Sequence, residues 1–449
     1  MAGVRVSITP VTPIFIFAAM QIQPLSWIGI AVLLIFSIGM LLIIFEAKLH
    51  LDKFKPAMLM LSSFLLMGLY YFFSGDDPHR FEAFIEMQKE NKVELFSLIA
   101  FMSFMWMIVE ILSERGVFST LNSYLISRGM KANGMFWSTG LLAALLSPFI
   151  NNITSAMIFG KSIKEISRNH DYQHIAMCNL IIASNSGVWF LGTATSLMVV
   201  LAGKISIIGL LTLFPAGIIG WAASAAVLQL FYLNRLSGEL IDSTPDEVQI
   251  KRGGIGMIFF SIVAVTAAVI MNILLHIDIE YAIGLGLAII GLYAWHLKRD
   301  GTNVSLLAQM QKVEWNTLLF FIGIISGVAA LNHAGWLTYI SRLFEIVSPI
   351  TVNVALGVIS GVLDNVPVEA AALMSNPQLT SSQWALNALM VGIGGSLTVI
   401  GSAAGVMVMS IDKSYSFVTH LKFLPAILTN FLVSLSVWYV QFEMLGWHA

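Results

Sequence analysis

Two long apolar stretches of this chain are interrupted by polar side chains able to hold an ion. Ser147-Pro148-Phe149-Ile150-Asn151-Asn152 sits inside residues 134–160, and Ser360-Gly361-Val362-Leu363-Asp364-Asn365-Val366-Pro367 inside residues 350–375. Each is followed by a second cluster: Asn185, Ser186, Thr193, Thr195 and Ser196 in the first case, Ser396, Thr398, Ser402 and Gly405 in the second. Carbonyl, amide, hydroxyl and carboxylate oxygens are the donors a hard monovalent cation takes, and broken helices expose such groups. Asp364 stands out, since an ionised carboxylate facing lipid costs at least ~2.5 kcal/mol. Glu369 follows five residues later and is expected near the same polar tip, where burial favours its protonated form and makes it a candidate for proton exchange. The candidate ion ligands are therefore Asn151, Asn152, Thr154, Thr193, Thr195, Asp364, Asn365, Ser396 and Ser402, with Asp364 and Glu369 as candidate proton-coupling groups. The competing role for each Ser and Thr is a hydrogen bond back to its own helix, and for each Gly close helix packing.

The elements that must position these groups are membrane helices. The chain of 449 residues is 57% hydrophobic and 11% charged, with a mean hydropathy of +0.85, whereas soluble domains carry about 25% charged residues. Apolar runs long enough to span a bilayer are expected at about 24–46, 56–73, 94–112, 174–200, 205–232, 254–275, 281–297, 315–333, 384–410 and 417–442. The two polar-centred stretches fit re-entrant helical hairpins better than spans. With hairpins and the N-terminus outside, seventeen Lys and Arg fall in cytoplasmic loops, Lys53 among them, against six outside. The acidic segment Asp76 to Glu90 then falls outside.

The halves also repeat. Asn151-Asn152 answers Asp364-Asn365, Gly192-Thr193-Ala194 answers Gly401-Ser402-Ala403, and Phe214-Pro215-Ala216 answers Leu424-Pro425-Ala426, at separations of 213, 209 and 210 residues. Because the two copies enter the membrane from opposite sides, the reading is an all-α polytopic membrane protein: inverted-topology repeats, about ten transmembrane spans and two re-entrant helical hairpins. The expected division is an N-terminal segment 1–23, a first half 24–232, a cytoplasmic linker 233–253 and a second half 254–449. Net charge of −2 offers no field for nucleic acid. The single Cys178 excludes an intramolecular disulfide. Gly160-Lys161-Ser162 lacks the upstream glycine and strand of a phosphate loop, so energy is expected from an ion gradient, with no enzyme activity and no cofactor.

From residue 24 to 442 the chain resembles the NhaD family of sodium/proton antiporters, within a wider superfamily that includes anion and dicarboxylate carriers. The strings carrying the resemblance are Phe45-Glu46-Ala47-Lys48-Leu49-His50, Glu114-Arg115-Gly116-Val117-Phe118, Asp364-Asn365-Val366-Pro367 and Gly394-Gly395-Ser396-Leu397-Thr398-Val399-Ile400-Gly401-Ser402-Ala403-Ala404-Gly405. The resemblance implies exchange of Na+ or Li+ for H+, a sodium ion held at Asn152, Asp364 and Asn365, a bacterial inner-membrane location among lipid, and a homodimer. Two carboxylates of the family pattern are replaced here, at Asn151 and at Thr193, whereas Glu369 stands where the family is apolar. The expectation is that proton and sodium competition has moved to Asp364 and Glu369. The rival readings are a Na+-coupled anion or dicarboxylate symporter and a transport-inactive scaffold or sensor.

Overall fold

The computed structural model describes residues 22–49, 51–74, 78–127, 131–236, 249–299 and 304–449. Most of the N-terminal segment, His50, residues 76–77 of the acidic segment, and residues 237–248 of the expected linker lie outside the described residues. Among the described residues the regular structure is entirely helical, and nine helical segments are long and apolar enough to cross a membrane. Eight of the ten expected spans coincide with segments of this kind.

The chain begins with α1 (Trp27–Ile44), whose first turn is capped by Ser26 accepting from Gly29 N at 3.2 Å. A short α2 (Glu46–Leu49) follows, then α3 (Phe54–Leu59) and α4 (Ser62–Ser74), two pieces of one crossing. α5 (Pro78–Glu114) is a single 37-residue helix, so the described part of the segment expected as an outside loop instead extends the crossing helix. Its Glu and Lys residues are strong helix formers, and nothing between Pro78 and Glu114 breaks the run.

From here one series of elements occurs twice. In the first copy α5 leads to α6 (Val117–Ser127), a hairpin of α7 (Ala132–Ile150) and α8 (Asn152–Ile166), a helix in two pieces, α9 (His170–Asn185) and α10 (Ala194–Leu201), a short α11 (Ile207–Leu211) and a long α12 (Phe214–Phe231). α13 (Gly254–Leu275), α14 (Ile279–Arg299) and a short α15 (Leu306–Met310) intervene. The second copy runs α16 (Trp315–His333), α17 (Thr338–Ile346), hairpin α18 (Pro349–Leu363) and α19 (Asn365–Ser375), broken helix α20 (Ser381–Gly394) and α21 (Ala403–Ile411), then α22 (Phe417–Leu421) and α23 (Leu424–Tyr439).

The two spans expected to be continuous at 174–200 and 384–410 are both broken, at 186–193 and 395–402. Glycine content explains the breaks: Gly187 and Gly192 in one, Gly394 at the start of the other and Gly401 within it, each where a side chain would collide with a hairpin, while a Cβ at Gly395 would meet Gly401 and Ser402 of its own break. A Cβ at Gly192 would meet the carbonyls of Ser147 and Pro148, and one at Gly401 would lie 2.6 Å from the Gly361 carbonyl oxygen. The hairpin arms are fastened in equivalent ways, with Ser147 donating to the Ser184 carbonyl at 2.6 Å and Ser360 to the Val391 carbonyl at 2.7 Å.

The copies interlock rather than stand side by side. α8 of the first hairpin packs on α21 of the second broken helix, and α19 of the second hairpin packs on α10 of the first. α12 packs along α23, where Ser434 donates to the Ala216 carbonyl at 3.0 Å. Small residues at that contact let the backbones approach, as membrane helices require in the absence of a hydrophobic drive between them.

Candidate ion site

Both hairpins turn on a residue with positive φ: Asn151 at φ 66° and Asp364 at φ 73°. Asn and Asp are enriched among the non-glycine residues that adopt positive φ. Asn151 Oδ1 accepts from Thr154 N at 2.8 Å and Asp364 Oδ1 from Val366 N at 3.4 Å, so each tip residue caps its following arm. They are only 6% and 7% exposed.

The tips meet at one cavity of about 20 Å³, lined by Asn151, Asn152, Asp364, Asn365 and, unexpectedly, Lys53. Lys53 Nζ lies 3.3 Å from Asp364 Oδ2 and 4.4 Å from the centre of the Phe320 ring. Lys53 is thus not a plain cytoplasmic-loop charge. Nothing in its local sequence separates it from Lys48 or Lys55; only the fold of the α2–α3 corner brings it over the second hairpin. The opening residues of four helices also line the cavity: Asn152 of α8, Ala194 of α10, Asn365 of α19 and Ala403 of α21. Helix N-termini carry partial positive charge, and four of them together with Lys53 surround this cavity.

The remaining candidates are distributed around this centre. Asn152 donates to Asn185 Oδ1 at 3.0 Å, and Asn185 donates to Ser396 Oγ at 3.0 Å and Ser402 Oγ at 2.8 Å. One amide therefore ties the first hairpin tip to the second broken helix. Thr193 Oγ1 donates to Ser196 Oγ at 2.8 Å and lies 3.4 Å from Thr195 Oγ1, a local cluster where the first break passes into α10 that does not line the cavity. Thr154 reaches the tip through its backbone. The Nδ2 of Asn151 is buried without a hydrogen-bond partner.

Glu369 is fully buried, but on α19 facing α20 rather than on the cavity wall. Its neighbour is Asn387, and the hydrogen bonds there depend on the proton. A protonated Glu369 can donate to Asn387 Oδ1 while Asn387 Nδ2 donates to Asn353 Oδ1 at 2.9 Å and Asn353 Nδ2 to the Gln383 carbonyl at 3.1 Å. An ionised Glu369 needs the Asn387 amide reversed, its nitrogen 2.8 and 3.2 Å from the carboxylate oxygens, which turns the Asn387 oxygen towards Asn353 Oδ1 at 2.9 Å. His333, at the end of α16, is buried with Nε2 2.8 Å from Tyr71 Oη.

Two interlocked hairpin repeats around a buried charged site, in a chain of membrane-crossing helices, define a secondary membrane transporter. A family model described as citrate transporter (CitMHS) matches residues 40–392. The chain is 30% identical over 459 residues to the Na(+)/H(+) antiporter NhaD of Alkalimonas amylolytica, covering 95% of this chain and 93% of that protein. It is 30% identical over 442 residues to the Na(+)/H(+) antiporter NhaD of Vibrio cholerae, covering 91% of each. Sodium/proton antiporter 1 of Arabidopsis thaliana is 29% identical over 413 residues, covering 86% of this chain and 69% of that one. The chain belongs to the NhaD-type antiporter family, within the range of the citrate-transporter model.

Proposed function

We propose that the protein exchanges Na+ or Li+ for H+ across a membrane, with Asp364 as the group over which the two cations compete. The observation that carries this reading is the Asp364–Lys53 pair in a cavity the size of a single ion or water. The carboxylate lies among four helix N-termini and pairs with one ammonium on a flexible stem. Na+ can replace that ammonium, with Asn152 and Asn365 supplying further oxygens and Ser396 and Ser402 orienting Asn152 through Asn185. Protonation of Asp364 on the opposite side of the membrane then releases the ion. In this scheme Glu369 is a coupling group acting through Asn387, because its protonation decides which way the amide chain between α18, α19 and α20 runs, and it does not touch the ion. Thr154, Thr193 and Thr195 shape the first tip and the first break. The halves 24–232 and 254–449 supply one hairpin each, a bacterial inner membrane is the setting, and a homodimer buries part of α13, the span with the smallest share packed inside the chain.

The test is dequenching of a pH-sensitive dye in everted vesicles on addition of Na+, Li+, K+ or citrate, comparing wild type with Asp364→Asn. A Na+ or Li+ response that disappears in the variant is the expected result. No cation response in wild type sinks the exchange reading.

A second reading has one observation in its favour. Four helix N-termini, Lys53 and the unpartnered Asn151 amide present donors to the cavity, which suits an anion. A citrate-sized anion is far larger than 20 Å³, so this reading requires the hairpin tips to part. Citrate uptake dependent on Na+ in the same vesicles would decide for it.

A further inference from the structure

A second and much larger cavity, about 400 Å³, lies beyond the ion site, and the same four helices wall both. α5 packs on α16, α16 on α19, α19 on α10 and α10 on α5, closing a ring. Each helix has a residue lining the small cavity and another four positions away lining the large one: Met102 and Leu98 on α5, Phe321 and Ile325 on α16, Val366 and Ala370 on α19, Ala194 and Met198 on α10. Four residues of helix rise about 6 Å. The two cavities are therefore separated by one helical turn of apolar side chains contributed from four sides.

The large cavity carries acid. Glu90 and Glu94 line it, and Ser97 on its wall donates at 2.6 Å to Glu280, a buried carboxylate whose other oxygen has no hydrogen-bond partner. Among the described residues its one lining cation, Lys204, donates to Asn376 Oδ1 at 2.5 Å and lies 5.3 Å from the Trp384 ring centre, so it is held by its own partners. The count of basic loop residues places Lys204 on the outer side of the membrane.

We propose that this vestibule is the outer route by which a hydrated monovalent cation reaches Asp364, and that the ring of Leu98, Met102, Met198, Phe321 and Ile325 is the gate, closed in this structure. The acidic wall raises the local cation concentration, and an apolar constriction one turn long blocks a hydrated ion by dewetting until the ring loosens. The inference rests on the exchange reading for the identity of the ion, but its geometry can be tested without transport.

With Cys178, buried in the core, replaced by Ala, single cysteines are introduced at Asn332 on the vestibule wall and at Ala194 below the ring. Both are exposed to a charged, membrane-impermeant thiol reagent applied from outside. Asn332→Cys should react roughly tenfold faster than Ala194→Cys, which corresponds to about 1.4 kcal/mol in access. Adding Met198→Ala, or separately Leu98→Ala, should bring Ala194→Cys up to the faster rate. Reaction of Asn332→Cys from the cytoplasmic side alone, or from neither side, overturns the route. Equal rates at the two positions in the parent, or no acceleration by either truncation, overturn the gate. A chain that shows the expected labelling but no cation response in the dye assay keeps the vestibule and loses the exchange reading.

Discussion

Lys53 Nζ stands 3.3 Å from Asp364 Oδ2 while the other oxygen of the same carboxylate caps α19. A side chain of the first half thus supplies the counter-charge for the hairpin tip of the second. If the ammonium occupies the place of the transported cation, Lys53→Met removes an internal competitor. Na+ affinity, measured as thermal stabilisation in detergent by NaCl against choline chloride, should rise by ~10-fold or more. Stability without Na+ should fall by ~3–5 kcal/mol because Asp364 is left buried and unpaired. Loss of Na+ affinity instead would show that Lys53 only holds the tip in place.

Asn151 and Asp364 adopt the same backbone conformation at corresponding tips, yet only one carries charge. Asn151→Asp introduces a second carboxylate at an equivalent position and can still cap Thr154. Apparent Na+ affinity in the dye assay should rise, and the number of protons exchanged per Na+, measured from the reversal potential in proteoliposomes, should increase. An unchanged ratio would mean that the first tip takes no part in proton exchange.

Glu369→Gln fixes the amide chain in one direction, since Gln can donate permanently to Asn387 Oδ1 as a protonated Glu369 does. Exchange should persist with a flattened dependence on pH. A pH profile identical to wild type would remove Glu369 from the coupling scheme.

Gly192 N donates to the Pro148 carbonyl at 2.5 Å, and a Cβ at Gly192 would overlap that carbonyl. Gly192→Ala forces the first hairpin away from the break that faces it, at a cost of about 1–3 kcal/mol. Gly203, with positive φ but with no atom within 4 Å of a built Cβ, should tolerate Ala with only the smaller backbone cost, about 1 kcal/mol. Melting temperatures of the two variants in detergent should separate accordingly.

Away from the hairpin tips, Lys164 of α8 lies 3.3 Å from Asp412, which follows α21. Burial pushes the Asp412 carboxyl up, but hydrogen bonds from Ser414 and the charge and hydrogen bond of Lys164 outweigh it and hold it below its ordinary value of 3.8. A depressed folded-state value means the stabilisation is fully present above the ordinary carboxylate range and is lost as pH falls through the folded value. Asp412→Asn should therefore lower the melting temperature at pH 7, and the difference from wild type should shrink as pH falls below about 4. A difference independent of pH would assign the effect to packing alone.

Much of this molecule follows from its sequence. Mean hydropathy and the polar tips at Asn151 and Asp364 point to a membrane transporter with two hairpins, because in lipid every backbone group must be satisfied within the chain, and a polar cluster amid apolar residues has few places to go. The separations near 210 residues disclose the repeat for the same reason: each half must solve the same problem. Local pattern does not disclose the breaks at 186–193 and 395–402, since their Ser, Thr and Gly residues also suit a continuous membrane helix, and the interruption is set by the hairpins lying against Gly192 and Gly401. Nor does it place Lys53 at Asp364, 311 positions away, or turn Glu369 from the tip towards Asn387. Those facts depend on which helices pack on which: hydropathy fixes how deep a segment lies, whereas the partner of a buried charge is chosen only when the two halves interlock.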